Sequence, residues 1–226
     1  MLKRSKRYLE SRSGVDSDKK YGLPEAVKIL KSFKHAKFDE SVEVAMKLGI
    51  DPKQSDQLIR GSISLPKGIG KSLKVIVFAT GDKAAIAKKS GADEVGAEDL
   101  VKKVEGGWTD FDVAIASSEM MKLVGKLGRV LGPQGKMPSP KSGTVTDDIE
   151  TAVKEFKAGK LEYRTDAGGN VHGIVGKVSF LDKDLEDNIS AFVKHITSSR
   201  PASAKGVFVE KVSVSTTMGP GIMVQV

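Results

Sequence analysis

The 226-residue chain contains no cysteine. That excludes disulfides, thiolate metal sites and cysteine nucleophiles together, and it fits a reducing compartment. No apolar run approaches the ~20 residues that a membrane span needs, so no membrane partner is expected. Histidine is sparse: His35, His172 and His195 stand far apart and form no H-x-x-x-H or H-E-x-x-H pattern, so no metal is expected. The turn after the apolar run ending at Thr80 reads Gly81-Asp82-Lys83. It lacks the G-x-G-x-x-G fingerprint of dinucleotide binding, and no Walker loop or G-x-S-x-G elbow occurs elsewhere. The adjacent acids Asp147 and Asp148 precede a helical pattern, where carboxylates suit the positive end of the dipole. The pattern predicts neither an enzyme nor a cofactor. The basic stretch Met1–Arg12 is not followed by an apolar segment, so no secretory signal is expected. Glu10, Asp16 and Asp18 come early for an acid-poor transit peptide, and the cytoplasm is the expected location.

What is present is basic. Thirty-seven Lys and Arg against 29 Asp and Glu give a net charge of +8 and a pI near 9.4. Such an excess favours polyanion partners, since each phosphate contact releases condensed counterions. Many basic proteins bind no nucleic acid, and charge alone leaves both readings open. Hydrophobic residues at 39% and charged residues at 29% describe a folded chain.

The hydrophobic periods divide the chain into three segments. From Lys3 to Phe33 the pattern is helical, with Leu23-Pro24-Glu25 opening a helix that uses Val27, Leu30 and Phe33. Strict alternation follows: Phe38, Val42, Val44, Met46 and Leu48 share one parity and Asp39, Ser41, Glu43 and Lys47 the other, a strand with one buried face. Ile63 and Leu65 mark a shorter strand. The middle differs. Leu73–Thr80 and Phe111–Ala116 are apolar throughout, as in parallel strands covered on both faces. Helical patterns alternate with them, at Asp82–Ser90, at Glu98–Val104, at Met120 to Leu131, and around Ile149, Ala152, Val153 and Phe156. That alternation predicts a Rossmann-like unit with right-handed crossovers. After Gly159 the antiparallel style returns. Leu161–Thr165 and Val171–Phe180 flank Ala167-Gly168-Gly169-Asn170, a hairpin signal. A helix with Leu185, Ile189, Phe192, Val193 and Ile196 precedes two final strands joined by Met218-Gly219-Pro220-Gly221.

The economical fold is mixed α/β. Residues 1–66 and 160–226 form a discontinuous domain with an antiparallel sheet, interrupted by a parallel α/β domain at 67–159. Glycines at Gly68, Gly70 and Gly159 lie at the crossings, where flexible backbone permits hinge motion. The outer pieces carry net +6 and the inserted piece net +2.

Two features invite a phosphate. The loop Gly132–Thr144 holds three prolines, three glycines and two lysines. Gly132, Gly135, Lys136 and Lys141 are its candidates for a backbone-amide nest, and a structured link between helices is the alternative. On the last long strand Lys211, Ser213, Ser215 and Thr217 share the face opposite Val212 and Val214. Small hydroxyl side chains let a sheet approach a backbone closely and bond ribose or phosphate, though a solvated face would carry them too. Aromatics make up only 5%, which disfavours base stacking along a single strand and favours a folded RNA read by shape.

Four long blocks then carry a resemblance: AKFDESVEVAMKLGIDPKQSDQLIRGSISLPKGIGK (Ala36–Lys71), GKLGRVLGPQGKMPSPKSGTVTDDI (Gly125–Ile149), AGKLEYRTDAGGNVHGIVGKVSF (Ala158–Phe180) and STTMGPG (Ser215–Gly221). In that order they resemble the bacterial-type ribosomal protein L-one family over essentially the whole chain. The resemblance implies a split α/β domain with an inserted Rossmann-like domain. It also implies binding to the folded stalk element of large-subunit ribosomal RNA, help in releasing deacylated exit-site tRNA, repression of the protein's own messenger RNA, and a monomer within the ribosome, with a bacterial or a mature organellar copy both left open. Carried over position by position, it implies RNA contacts at Lys37, Phe38, Ser41, Glu43, Ser213, Thr217, Met218 and Gly219, with Asp166 and His172 beside the hairpin turn. Parity sets Phe38 among core residues, in tension with that role. Ser41 stands where threonine is common. Gln134, Lys136 and Ser139 depart from the family's usual loop residues. The rival classes are a general nucleic-acid binder and a small-ligand-binding α/β protein.

Overall fold

Pro24 sits in the first turn of α2 (Leu23–Ser32), where its missing N–H costs nothing, and Ala26, Val27 and Leu30 line the buried stripe. In the computed structural model, which describes residues 4–16 and 19–225, α2 is preceded by α1 (Lys6–Ser13). Lys3, where the helical pattern begins in the sequence, lies outside the described residues. The chain divides into two units, Met1–Gly70 with Leu161–Val226, and Lys71–Lys160. The fold class is mixed α/β, antiparallel in the first unit and parallel in the second.

The first unit is built on β1 (Ser41–Leu48), whose burial alternates residue by residue. Val42, Val44, Met46 and Leu48 are fully buried, each contributing about 1.5–3 kcal/mol of apolar burial. β1 lies between β7 (Asn170–Lys177) and β8 (Val209–Thr216), antiparallel to both, and β9 (Ile222–Val224) completes the order β7-β1-β8-β9. A bulge against Val42 and Glu43 shifts the β7 register. Helix α2 packs with α8 (Asp182–Ser198) over the buried side. A separate two-stranded ribbon joins β2 (Arg60–Ser64) to β6 (Lys160–Arg164).

Two expectations are corrected here. The alternation was extended back to Phe38, but β1 starts at Ser41, and Phe38 is 53% exposed. Parity has no force beyond the last paired residue. The expected hairpin has its turn, closed by Asp166 N–H to the Asn170 carbonyl and Gly169 N–H to Asp166, with Gly169 at φ 76°. Its strands nevertheless part after the single bridge Thr165–Val171: β6 pairs with β2, and β7 with β1. Tertiary partners outcompete the local pairing.

In the second unit β3 (Val75–Phe78) is buried at every position and central in the order β4-β3-β5, with β4 (Glu94–Gly96) and β5 (Val113–Ala116) parallel to it. Around the sheet stand α3 (Gly81–Lys89), α4 (Glu98–Glu105) and α7 (Ile149–Lys157). The single helix expected from Met120 to Leu131 is broken. Short α5 (Met121–Val124) and α6 (Gly128–Gln134) are separated by a tighter turn at Gly125–Leu127. Glycine at 125 and 128 lacks the propensity to hold a continuous helix.

Candidate nucleic-acid interface

Cross-strand partners in an antiparallel sheet point to the same side, and the register of β1 gathers the polar residues into rows. Ser213, Ala45 and His172 form one row; Ser215, Glu43 and Ile174 the next; Ser41 and Lys177 stand opposite each other beyond them. On the other side of the sheet Val212, Val214 and Val44 go into the core. The candidates Ser41, Glu43, His172, Lys211, Ser213 and Ser215 therefore occupy one face, assembled from three strands. Lys47 opposes Lys211 directly. Like charges so placed repel, and a polyanion laid across them would relieve that. Lys47 Nζ donates to the Gly168 carbonyl, while among the described residues no ion pair holds Lys211.

The edge of this face is made by two loops from opposite ends of the chain. Thr217 N–H donates to the Ser41 carbonyl at 3.0 Å, and Thr217 Oγ1 accepts the Ser41 N–H at 3.0 Å. Ser41 Oγ in turn accepts from Lys177 Nζ at 2.9 Å. The hydroxyls expected to contact RNA at 41 and 217 thus already brace β1. Beside them Phe38 and Met218 are 53% and 50% exposed, and Lys37 is exposed as well. Gly219 closes the turn with its N–H on the Thr216 carbonyl, and a Cβ there would run into the Thr216 hydroxyl.

Beneath this edge lies Glu40, which the sequence pattern did not single out. Its carboxylate is buried. Oε1 accepts the Ala36 N–H at 2.6 Å and Oε2 the Met218 N–H at 3.2 Å. Burial by itself would raise its pKa, but the Ala36 amide, the neighbouring Thr216 hydroxyl, the Met218 amide and nearby His35 hold it below the usual carboxylate range.

Asp166 is spent on its own turn. Oδ1 accepts the Asn170 N–H at 2.7 Å and the Gly168 N–H at 2.8 Å. The Asn170 amides, then Gly168 and His172, lower its pKa to about 2. His172 Nε2 lies 3.5 Å from Asp166 Oδ2 and remains exposed, so the turn presents His172 outward while Asp166 shapes it.

The loop residues Gly132, Gly135, Lys136 and Lys141 belong to the second unit. The amide nest expected there is not formed. The N–H groups of Gly135, Lys136, Ser142, Gly143 and Thr144 donate to carbonyls of their own loop and helix, and Ser139 N–H to Thr144 Oγ1. Lys136 Nζ donates to the Thr109 carbonyl at 2.9 Å and sits 5.1 Å from the Phe111 ring centre. These bonds tie the loop to itself and to its helix; of its two lysines, Lys141 is exposed with no partner among the described residues.

Among the described residues no cluster of His, Asp and Glu could hold a metal ion, and no helix is long and apolar enough to cross a membrane.

Comparison with known proteins agrees in extent with the whole chain. Residues 30–220 match the model of the ribosomal protein L1p/L10e family. The chain is 54% identical to the large ribosomal subunit protein uL1 of Kosmotoga olearia, over 98% of this chain and 96% of that one. It is 57% identical to uL1 of Fervidobacterium nodosum, over 98% and 95%, and 50% identical to uL1 of Rhodococcus erythropolis, over 99% and 94%.

Proposed function

The chain belongs to the ribosomal protein L1p/L10e family, and on that premise we propose that it is a structural constituent of the large ribosomal subunit whose four-stranded sheet docks on a folded element of ribosomal RNA. It is a structural protein and not an enzyme. The observation that carries the docking reading is the edge where Phe38 and Met218, both half exposed, flank the serine and threonine rows of β1 and β8. Exposed apolar side chains of that size beside small hydroxyls suit a surface that packs on sugars and bonds 2′-hydroxyls and phosphates. Lys37, Lys47 and Lys211 supply cationic contacts around it.

The stalk element is the RNA we assign to this face. Release of deacylated tRNA from the exit site and repression of the protein's own messenger RNA are further roles that rest on the family resemblance. Repression needs only that the messenger carry a structure like the ribosomal one, so one face serves both. The first and last segments, 1–66 and 160–226, make up the proposed RNA-binding domain, and the inserted segment 67–159 is not needed for docking in this reading.

Filter binding tests it. The full chain is titrated against the folded stalk RNA and against duplex RNA of equal length, at two salt concentrations. A preference of at least about 100-fold for the folded element, or ~2.7 kcal/mol, is the expected result. Equal affinity for both, falling together with salt, would make the protein a general polyanion binder.

A further inference from the structure

We propose that Glu40 is a positioning residue for RNA docking: it touches no RNA itself but sets the spacing between Phe38 and Met218. The inference rests on the reading of this face as the docking surface.

The geometry is that of a cross-brace. One carboxylate oxygen holds the amide of Ala36, two residues before Phe38, and the other holds the amide of Met218 itself. The two segments are otherwise tied mainly through Ser41 and Thr217. Glu40 is 1% exposed, with Arg7 4.0 Å and His35 Nδ1 3.8 Å from Oε1. Among the described residues His35 Nδ1 is itself buried without a hydrogen-bond partner. An apolar side chain could fill this space without desolvating a charge, and such replacements are often neutral or stabilising. What an apolar residue cannot do is accept two main-chain amides from opposite ends of the chain. Only an acceptor on each arm fixes both loops at once.

The near-isosteric change Glu40→Gln, in the full chain, separates positioning from charge. Glutamine keeps one acceptor, and it makes the protein more positive by one unit beside a polyanion. Electrostatics alone therefore predicts unchanged or tighter binding to the stalk RNA. Positioning predicts the opposite sign, a loss of about tenfold. It also predicts coupling: Met218→Ala should weaken binding less in the Glu40→Gln background than in the natural protein, whereas a purely structural effect leaves the two losses additive. Binding as tight as in the natural protein, or additive losses, would overturn the proposal. If Glu40→Gln does not fold by circular dichroism, Glu40→Asp replaces it, keeping the charge on an arm one methylene shorter. A folded Glu40→Asp protein with weakened binding supports positioning. One that binds normally, or also fails to fold, overturns it. A natural protein that shows no preference for folded over duplex RNA refutes the docking reading instead, and that control is run first.

Discussion

Replacing Phe38 by alanine tests the docking edge most directly, because the side chain stands outside both core and strand. Fully burying a phenylalanine contributes about 1.5–3 kcal/mol. With 53% of the residue exposed, covering the remainder by RNA contributes roughly 1–1.5 kcal/mol, and stacking on a base raises this to about 2. Binding of Phe38→Ala to the stalk RNA should therefore weaken about 5- to 30-fold. No charge is removed, so plots of log affinity against log salt for the two proteins should run parallel. The melting temperature should move by less than about 2 °C, since a surface truncation costs within ~0.5 kcal/mol. Calorimetry and filter binding on the same preparations give both quantities. A melting point lowered by about 8 °C, the cost of roughly 2 kcal/mol, with affinity intact, would refute the reasoning and return Phe38 to the core that its parity implied.

Thr217→Val should act on both quantities, because the lost hydroxyl leaves the Ser41 N–H without its acceptor. At an exposed edge we expect about 1 kcal/mol, a fall of roughly 4 °C in calorimetry, together with weaker RNA binding; unchanged melting would mean that the Thr217–Ser41 link does not form in solution. Lys37→Ala should flatten the salt dependence by about 0.7–0.9 units for the one phosphate contact removed, and an unaltered slope would exclude Lys37 from the contacts. For Asp166 the sign follows from a folded pKa depressed to about 2, chiefly by the Asn170 N–H, against an ordinary value near 3.8. Its contribution is present above about pH 4 and is lost as the pH falls toward 2. Asp166→Asn should thus flatten the acid limb of stability between those limits, and acid melting curves that superimpose would show that the turn does not depend on the charge.

Much of this could be read from the sequence because most elements announce themselves locally. The alternation Val42-Val44-Met46-Leu48 needs only the pleat of a strand, and Ser213 and Ser215 follow by parity from Val212 and Val214. Where the reading failed, the missing information was non-local. Phe38 continues the alternation in sequence, yet β7 and β8 offer it no partner. Gly168 and Gly169 make a turn that any hairpin would welcome, but the strands leaving it find β1 and β2 instead. The three residues of β4 are too few to show a period. Lys177 reaches the site only through its register opposite Ser41, across a bulge that no local pattern records. Glu40 differs from a solvated acid in nothing that the letters Asp39-Glu40-Ser41 show; only its two amide partners, Ala36 close before it and Met218 178 residues after it, mark it as buried.

The placement of β1 at the centre of its sheet bears on how the chain comes to be folded. β1 is made early, but its neighbours pair Met46 with Val171 and with Val212, residues synthesised on the order of ten seconds later at ~5–20 residues per second. Throughout that interval an apolar strand waits without either partner. The contiguous parallel unit can close as soon as its own residues are complete, while the antiparallel one must await nearly the last residue. Its long-range pairings also place it among the slower folders. The nascent chain thus exposes two open strand edges for most of its synthesis, and occupancy by a holding chaperone, followed by ribosome profiling of chaperone-bound chains, should begin near β1 and end only as β8 emerges.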